Sequence, residues 1–207
     1  MKFLKLAALL ILPCLAAPVF ATTPLVGVDF EVLQTPKKID GKIEVREFFS
    51  YACNACYKQA LALKPLVDNL PNDVQFKRTP LPSANGLGTE VKLYLALEAM
   101  PYGSEKAHFI FLEESAKKGD SALTPKAIST SLTVSRVNLG KFNGYYSSIA
   151  IHRAENEAKF LVNHYKITDT PAVIVNGKYI VKGAPNNVLT TVKYLVEQER
   201  NKASKPR

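Results

Sequence analysis

Cysteine is scarce in this chain, with three copies among 207 residues. Disulfide-dense frameworks belong to much smaller secreted domains, and a chain of this length can bury a proper core without covalent staples. A zinc site needs about four ligands, usually two cysteine pairs or one pair with histidines. Cys14 lies in a segment that we expect to be removed, which leaves only Cys53 and Cys56. The sequence therefore predicts no metal.

Long apolar runs are missing after the first residues. Residues 1–21 have a positive start at Lys2 and Lys5, an apolar stretch over 6–15, and a small-x-small ending at Ala21. This pattern predicts a secretory signal peptide. The apolar stretch is shorter than the roughly 20 residues that cross a bilayer, and no later stretch is long enough. We therefore expect an exported protein without a membrane span.

The sequence has an excess of basic residues, but they are not concentrated in one segment. The formal net charge is +9, and removal of Lys2 and Lys5 with the signal peptide leaves 9 − 2 = +7. The basic residues are scattered, and no aromatic residues interleave with them in a stripe. This distribution favours a solvated surface over a specific anionic partner, and export argues against nucleic acid as a target.

Residues 22–85 have the pattern of a strand–helix–strand unit. Alternating apolar and acidic side chains predict an edge strand, and two further apolar runs predict strands that should be parallel because a helix connects them. The helix begins at Cys53, and Pro65 should kink or restart it. The three strands are expected at residues 28–33, 43–49 and 74–79.

Residues 86–165 change to helical patterning and predict a helical subdomain inserted into the α/β unit. Thr124 is interpreted as an N-cap with Pro125 in the first turn. Ser135 is expected to cap a short helix. The five expected helices begin near Thr89, Ser104, Thr124, Ser135 and Ser148.

Residues 166–207 return to an α/β pattern. A strand over 172–175 and a partner over 178–181 are joined by Asn176-Gly177, the strongest short hairpin signal. Asn186 or Asn187 is expected to cap a final helix, whose apolar residues share one face.

The spacing Cys53-Asn54-Ala55-Cys56 lies between a predicted strand and a predicted helix. The first thiol then sits at a helix N-terminus, where unpaired N–H groups and the positive dipole end favour the reactive thiolate. This placement indicates redox chemistry. A structural disulfide and half of a zinc site are the alternatives, but a bridge over so short a loop constrains the unfolded chain little.

Two stretches carry a family resemblance: residues 47–57, which contain the cysteine pair, and residues 170–179, which contain Thr170-Pro171 and the hairpin turn. Together with the element order they resemble the DsbA family of bacterial periplasmic thiol oxidases. The resemblance implies an α/β thioredoxin fold, βαβ then ββα, with an inserted helical subdomain.

The resemblance also implies roles for individual residues. Cys53 matches the exposed attacking cysteine and Cys56 its buried partner. Pro171 matches a cis-proline facing Cys53, although cis is uncommon for X–Pro bonds in general. The backbone of Thr170 would then be free to hold a substrate segment as an added strand.

Glu47 and Arg78 are further residues to which the resemblance gives a role. Glu47 matches a partly buried carboxylate that takes part in proton transfer from the buried cysteine, and Arg78 stands where the family often has lysine. The resemblance thus implies a Glu47–Arg78 pair. The alternative for Glu47 is an ordinary glutamate at a sheet edge.

The residues between the cysteines depart from the family. Relatives commonly have proline and histidine there, whereas this chain has Asn54 and Ala55. The missing histidine should weaken the thiolate and make the disulfide less oxidising. Asn54 could still donate through its amide.

The resemblance implies a periplasmic oxidant that donates its own disulfide to unfolded exported proteins, with no bound cofactor. A DsbB-like membrane quinone reductase would reoxidise it. Phe49, Tyr51 and the inserted helices that cap the site would contribute an apolar surface near Cys53 for unfolded substrates. The alternatives are a disulfide reductase or isomerase, and, in another class, a periplasmic binding protein or holdase with a structural disulfide. His108, His152 and His164 are interpreted as structural.

Overall fold

The computed structural model describes residues 23–82, 89–100 and 104–203. Within these ranges, one mixed sheet has the strand order β1-β5-β4-β2-β3. Its strands are Phe30–Val32 (β1), Ile43–Phe49 (β2), Val74–Pro80 (β3), Ala172–Val175 (β4) and Tyr179–Val181 (β5). The signal peptide predicted for residues 1–21 lies outside the described residues.

The described α-helices form two groups. The first and the last directly follow strands of the sheet, and the others lie in the long segment between β3 and β4. The helices are Asn54–Asp68 (α1), Thr89–Glu98 (α2), Ser104–Lys118 (α3), Pro125–Val134 (α4), Leu139–Tyr146 (α5), Ile149–His164 (α6) and Pro185–Ala203 (α7). A short 3₁₀ helix, Gly119–Leu123, joins α3 to α4.

Alternation along the strands gives the sheet two apolar faces. On one face, Val45 and Val173 pack with Leu63 of α1 and Val192 of α7. On the other, Phe48 and Ile174 belong to a second cluster that includes residues from the end of α6. Neighbouring side chains on a strand point to opposite faces, so β2 contributes to both layers. The central strands are therefore covered by helices on both sides.

A third apolar cluster, here called the insertion cluster, joins the sheet to the excursion. From the sheet half it contains Phe49, Tyr51, Cys56 and Ala60. The remainder comes from α2 to α6 and the turn between α4 and α5, with α2 and α3 contributing most of the large side chains. The inserted helices thus share a core with the segment that carries the cysteines.

The main sequence expectations for the sheet are confirmed. β2 pairs in parallel with β3 and antiparallel with β4, and β1 forms an edge through its antiparallel pairing with β5. Thr124 caps α4 with its side chain, Pro125 opens that helix, and Ser148 caps α6.

The Asn176-Gly177 hairpin turn is also confirmed, with positive φ angles of 50° and 65°. Gly177 is required there for a second reason, because a Cβ would lie 2.1 Å from the backbone oxygen of Lys37. The backbone N–H of Lys37 donates to the oxygen of Gly177 at 2.9 Å, so the segment leading to β2 is held against the hairpin.

Two cap predictions were wrong. Ser135 ends α4 as its C-cap, and Asn138 is the residue that caps α5. Asn186 and Asn187 lie inside the first turn of α7, which already begins at Pro185. Of the kink or restart expected at Pro65, the restart does not occur: α1 continues as one helix to Asp68, although the proline lacks the N–H that would donate to the carbonyl of Leu61.

Candidate active site

Cys53 and Cys56 form a disulfide at the beginning of α1, with their Cα atoms 5.3 Å apart. Cys53 is the N-cap of the helix, and its Sγ accepts a hydrogen bond of 3.1 Å from the backbone N–H of Cys56. Cys56 is fully buried, whereas Cys53 is only half-buried. An incoming thiolate can therefore reach the sulfur of Cys53 and not that of Cys56.

The helix N-terminus provides the electrostatic environment of Cys53. The first N–H groups of a helix lack partners within it, and the dipole places positive charge there. Once the disulfide is opened, both features stabilise negative charge on the Cys53 sulfur. Asn54 and Ala55 form the exposed first two positions of α1.

The loop before β4 faces the disulfide from the other side. The Thr170–Pro171 peptide bond is cis, in agreement with the resemblance. Sγ of Cys53 lies 3.4 Å from the carbonyl oxygen of Thr170. Residues 117 positions apart in the sequence thus meet at one sulfur atom.

Glu47 and Arg78 form the pair that the resemblance implies. They are register partners on β2 and β3, and Nε of Arg78 donates to Oε2 of Glu47 at 3.0 Å. Both side chains are buried, and β2 is an inner strand, so the sheet-edge interpretation of Glu47 is wrong. Burial raises the pKa of Glu47, while the charge of Arg78 and its hydrogen bond oppose that rise.

Glu47 points to the layer that contains the cysteines. Val45, Glu47 and Phe49 are two positions apart along β2, so their side chains lie on the same face of the sheet. Phe49 belongs to the insertion cluster together with Cys56. Oε1 of Glu47 has no hydrogen-bond partner in the described part of the chain. A buried carboxylate with a free oxygen is suited to accept and return a proton.

Two polar residues near this site were missed from the sequence. Glu105 of α3 accepts hydrogen bonds from Nη1 and Nη2 of Arg78, at 2.8 and 3.1 Å. Gln59 of α1 is 1% exposed, one turn beyond Cys56, and its Nε2 has no partner among the described residues. Gln59 is a polar residue among apolar neighbours on a predicted buried helix face, and this pattern could have identified it from the sequence. No comparable local pattern identifies Glu105.

The expected apolar surface from Phe49 and Tyr51 is not present. Each side chain is 1% exposed, and both pack against His108 of α3. The hydroxyl of Tyr51 lies 3.2 Å from Nδ1 of His108. Burial lowers the pKa of His108 and, together with the charge of Arg78, keeps it neutral. The inserted helices cover these aromatic residues, which therefore pack beneath the cysteine loop and do not form an exposed surface.

The other two histidines belong to α6. His152 is exposed, and His164 stacks on Phe160. Across residues 23–82, 89–100 and 104–203, no group of three or more His, Cys, Asp or Glu side chains is arranged to hold a metal ion. The helices described in those ranges are all too short or too polar to span a membrane.

The sequence is similar to known thiol:disulfide interchange proteins. A thiol:disulfide interchange protein DsbA of Pseudomonas aeruginosa is 32% identical over 185 residues, covering 86% of this chain and 87% of that protein. A DsbA of Azotobacter vinelandii is 34% identical over 166 residues, covering 78% and 77%. No family model matches the sequence.

Solved structures agree with the sequence relatives. The crystal structure of Pseudomonas aeruginosa DsbA superposes with a TM-score of 0.75 at 33% identity, covering 86% of this chain and 95% of that one. The oxidoreductase DsbA of Xylella fastidiosa gives 0.74 at 23% identity, which supports the fold alone. A cysteine pair opening a helix beside a cis-proline loop, on a thioredoxin fold shared with these relatives, makes this chain a member of the DsbA family of thiol:disulfide oxidoreductases.

Proposed function

We propose that this protein acts in the periplasm as an oxidant of cysteine pairs in unfolded exported proteins, using the Cys53–Cys56 disulfide. The signal peptide predicted at residues 1–21 supports export. The difference in exposure between the two sulfurs supports a fixed direction of attack, on Cys53 first.

The exchange proceeds in two steps. A substrate thiolate forms a bond to Sγ of Cys53 while the Cys53–Cys56 bond breaks, and the electron pair leaves on Cys56. A second substrate thiolate then attacks the substrate sulfur of this mixed disulfide, and Cys53 leaves as a thiolate. The substrate gains a disulfide, the enzyme gains two electrons, and Cys56 takes up a proton in its buried position.

The surrounding residues have supporting roles in this proposal. Glu47 exchanges the proton of Cys56, and Arg78 keeps the carboxylate in place. Thr170 and Pro171 position the substrate backbone beside Cys53. Asn54 and Ala55, in place of a histidine-containing pair, leave the helix terminus as the main stabiliser of the thiolate.

Reoxidation completes the cycle. We propose a DsbB-like membrane quinone reductase as the electron acceptor, with the disulfide itself as the redox group in place of a bound cofactor. We also propose that residues 22–85 and 166–207 form the thioredoxin-like domain, with residues 86–165 as its inserted helical subdomain.

The observation that carries the proposal is the half-buried Cys53 sulfur at the N-terminus of α1, above a fully buried Cys56. A Cys56→Ser variant whose Cys53 is first joined to glutathione in a mixed disulfide should therefore form a mixed disulfide with an unfolded, reduced substrate protein, while the glutathione leaves as a thiolate. The covalent adduct is detected by mass spectrometry. The matched control is Cys53→Ser, which retains only the buried thiol and should trap little. Absence of adducts in both variants would support a binding protein with a structural disulfide.

The direction of electron flow needs its own measurement. Equilibration with glutathione buffers gives the oxidising strength of the pair, and an insulin-reduction assay gives its activity as a reductant. A pair that is strongly reducing, and that reduces insulin efficiently, would favour the reductase or isomerase alternative, which the missing histidine between the cysteines keeps open.

A further inference from the structure

Arg78 is shared between two carboxylates that belong to different parts of the fold. Its Nε donates to Glu47 on the neighbouring strand at 3.0 Å, and its two terminal nitrogens donate to Glu105 at 2.8 and 3.1 Å. A guanidinium group presents its donors in a rigid fork, so contacts on both sides fix its plane. Glu105 therefore determines where the positive charge stands relative to Glu47.

The two carboxylates differ in their access to water. The side chain of Glu47 is 1% exposed, whereas that of Glu105 is 49% exposed. Arg78, Glu98 and Glu105 line a cavity of about 220 Å³ that opens to the surface. The two ion pairs of Arg78 thus connect the buried layer of the cysteines with an opening to the surface between the sheet, α1 and the inserted helices.

We propose that Glu105 is a positioning residue for the buried proton transfer, acting through Arg78 on Glu47. The inference rests on the proposed role of Glu47 at Cys56. With Glu105 in place, part of the charge of Arg78 is neutralised from the solvent side, so Glu47 remains a sufficiently strong base. Without it, the full charge of Arg78 faces Glu47 and makes its carboxylate a weaker base.

Other charged or titratable groups around Arg78 come from its own strand and from adjoining elements. Lys77 of β3 lines the same cavity and pairs with Glu44 at 3.0 Å. Glu98 of α2 is occupied by a hydrogen bond of 3.0 Å from the hydroxyl of Tyr94, and His108 of α3 is neutral through burial. Tyr51 is held uncharged because burial raises its pKa far above the usual range. Among the described neighbours, Glu105 is the carboxylate that bonds Arg78 directly from outside the sheet.

The step affected is closure of the disulfide during oxidation by glutathione disulfide. The Cys53 thiolate first attacks glutathione disulfide, whose sulfur–sulfur bond breaks, so that one glutathione is joined to Cys53 in a mixed disulfide and the other leaves as a thiolate. The Cys56 thiol then gives its proton to Glu47, and its thiolate attacks Sγ of Cys53. The Cys53–Cys56 bond forms, the bond to glutathione breaks, and the electron pair leaves on the glutathione thiolate.

Oxidation of the reduced protein by glutathione disulfide, quenched with acid and followed by mass spectrometry across a pH series, separates these two steps. For Glu105→Gln we expect the closure step to slow roughly threefold on its neutral-pH plateau and its acid limb to move to lower pH, because a weaker base accepts the proton. Formation of the mixed disulfide should proceed at the wild-type rate. Glu105→Asp should recover part of the lost rate by restoring the charge.

Glu98→Gln is the matched control, since it removes one carboxylate from the same cavity without breaking a bond to Arg78. Equal slowing in Glu98→Gln and Glu105→Gln would overturn the proposal in favour of a diffuse charge effect, and so would an unchanged closure rate in Glu105→Gln. Glu47→Gln distinguishes this failure from that of the underlying role. If Glu47→Gln also closes at the wild-type rate, proton transfer by Glu47 is wrong, and if it alone is slow, only the inference about Glu105 is wrong.

Discussion

Oε1 of Glu199, in α7, accepts a hydrogen bond of 3.1 Å from the hydroxyl of Tyr179 in β5. The other oxygen of the same carboxylate accepts from Asn176 and Lys178 of the hairpin, each at 2.5 Å. One buried side chain therefore ties the last helix to the turn between β4 and β5.

The first prediction concerns the acid stability conferred by Glu199. Burial would raise its pKa, but hydrogen bonds from Lys178, Asn176 and Lys202 outweigh burial and lower the pKa to about 2. Because the folded-state pKa lies below the unfolded value, the stabilisation is complete above about pH 4.5 and is lost as the pH falls toward 2. We expect Glu199→Gln to lose about 2 kcal/mol at pH 7, after allowance for the partial exposure of both lysines.

Urea unfolding at several pH values measures this effect. The difference between wild type and Glu199→Gln should shrink steadily below pH 4.5 and approach zero near pH 2. A difference that stays constant over the series would show that the hydrogen bonds, and not the ionised carboxylate, account for the loss.

The second prediction uses the close approach of Lys37 to Gly177. In Gly177→Ala the new Cβ would meet a backbone oxygen at 2.1 Å, and neither backbone segment can yield as a flexible side chain would. Together with the positive φ of 65°, this should cost roughly 3 kcal/mol of unfolding free energy. Gly41→Ala is the control, because Gly41 has a φ of 83° but open space around it. It should lose only about 1 kcal/mol, and equal losses would contradict the role of the contact.

The third prediction concerns Ala55, the exposed second residue of α1. Ala55→His should place an imidazole donor near the Cys53 sulfur and stabilise its thiolate in the reduced protein. We expect the equilibrium with glutathione to shift about tenfold toward the reduced protein, which corresponds to about one pKa unit of added thiolate stability. Ala150→His tests the same change at the exposed second position of α6, far along the chain, and should leave the equilibrium unchanged.

The fourth prediction concerns the buried pair of Glu47 and Arg78. Arg78→Met leaves the carboxylate buried without its partner, and we expect a loss of about 3–5 kcal/mol at neutral pH. Burial raises the folded-state pKa of Glu47, so protonation relieves the unpaired charge and the loss should decrease as the pH falls. Adding Glu47→Leu should recover most of the stability in urea unfolding. A double variant as unstable as Arg78→Met would show that packing, not charge, is responsible.

Local sequence patterns were sufficient for much of this fold. The apolar run of β2 and the Asn176-Gly177 turn each depend on neighbouring residues, which is why both could be predicted. The helix beginning at Cys53 follows from the same kind of information. Cap assignment was weaker, because Ser135 suits either end of a helix and only the packing of Val137 decides that the chain turns there.

Contacts between distant segments account for what was missed. Glu105 lies 27 residues from Arg78, in a helix whose placement depends on the whole insertion, so no periodicity points to their pairing. Phe49 and Tyr51 have the composition of an exposed apolar patch beside a catalytic cysteine. They are buried because His108 and Phe111 of α3 and Tyr94 of α2 pack against them.

The shared burial of Tyr51 beneath α3 limits how this scaffold can be re-engineered. Deleting the inserted helices to obtain a minimal version would expose the aromatic rings that support the cysteine loop. The result would be an exposed apolar surface beside a distorted active site. Conversely, grafting only the four residues from Cys53 to Cys56 onto a smaller protein would omit the buried side chains that support them. A smaller variant therefore needs new packing beneath the cysteine loop as well as the cysteines themselves.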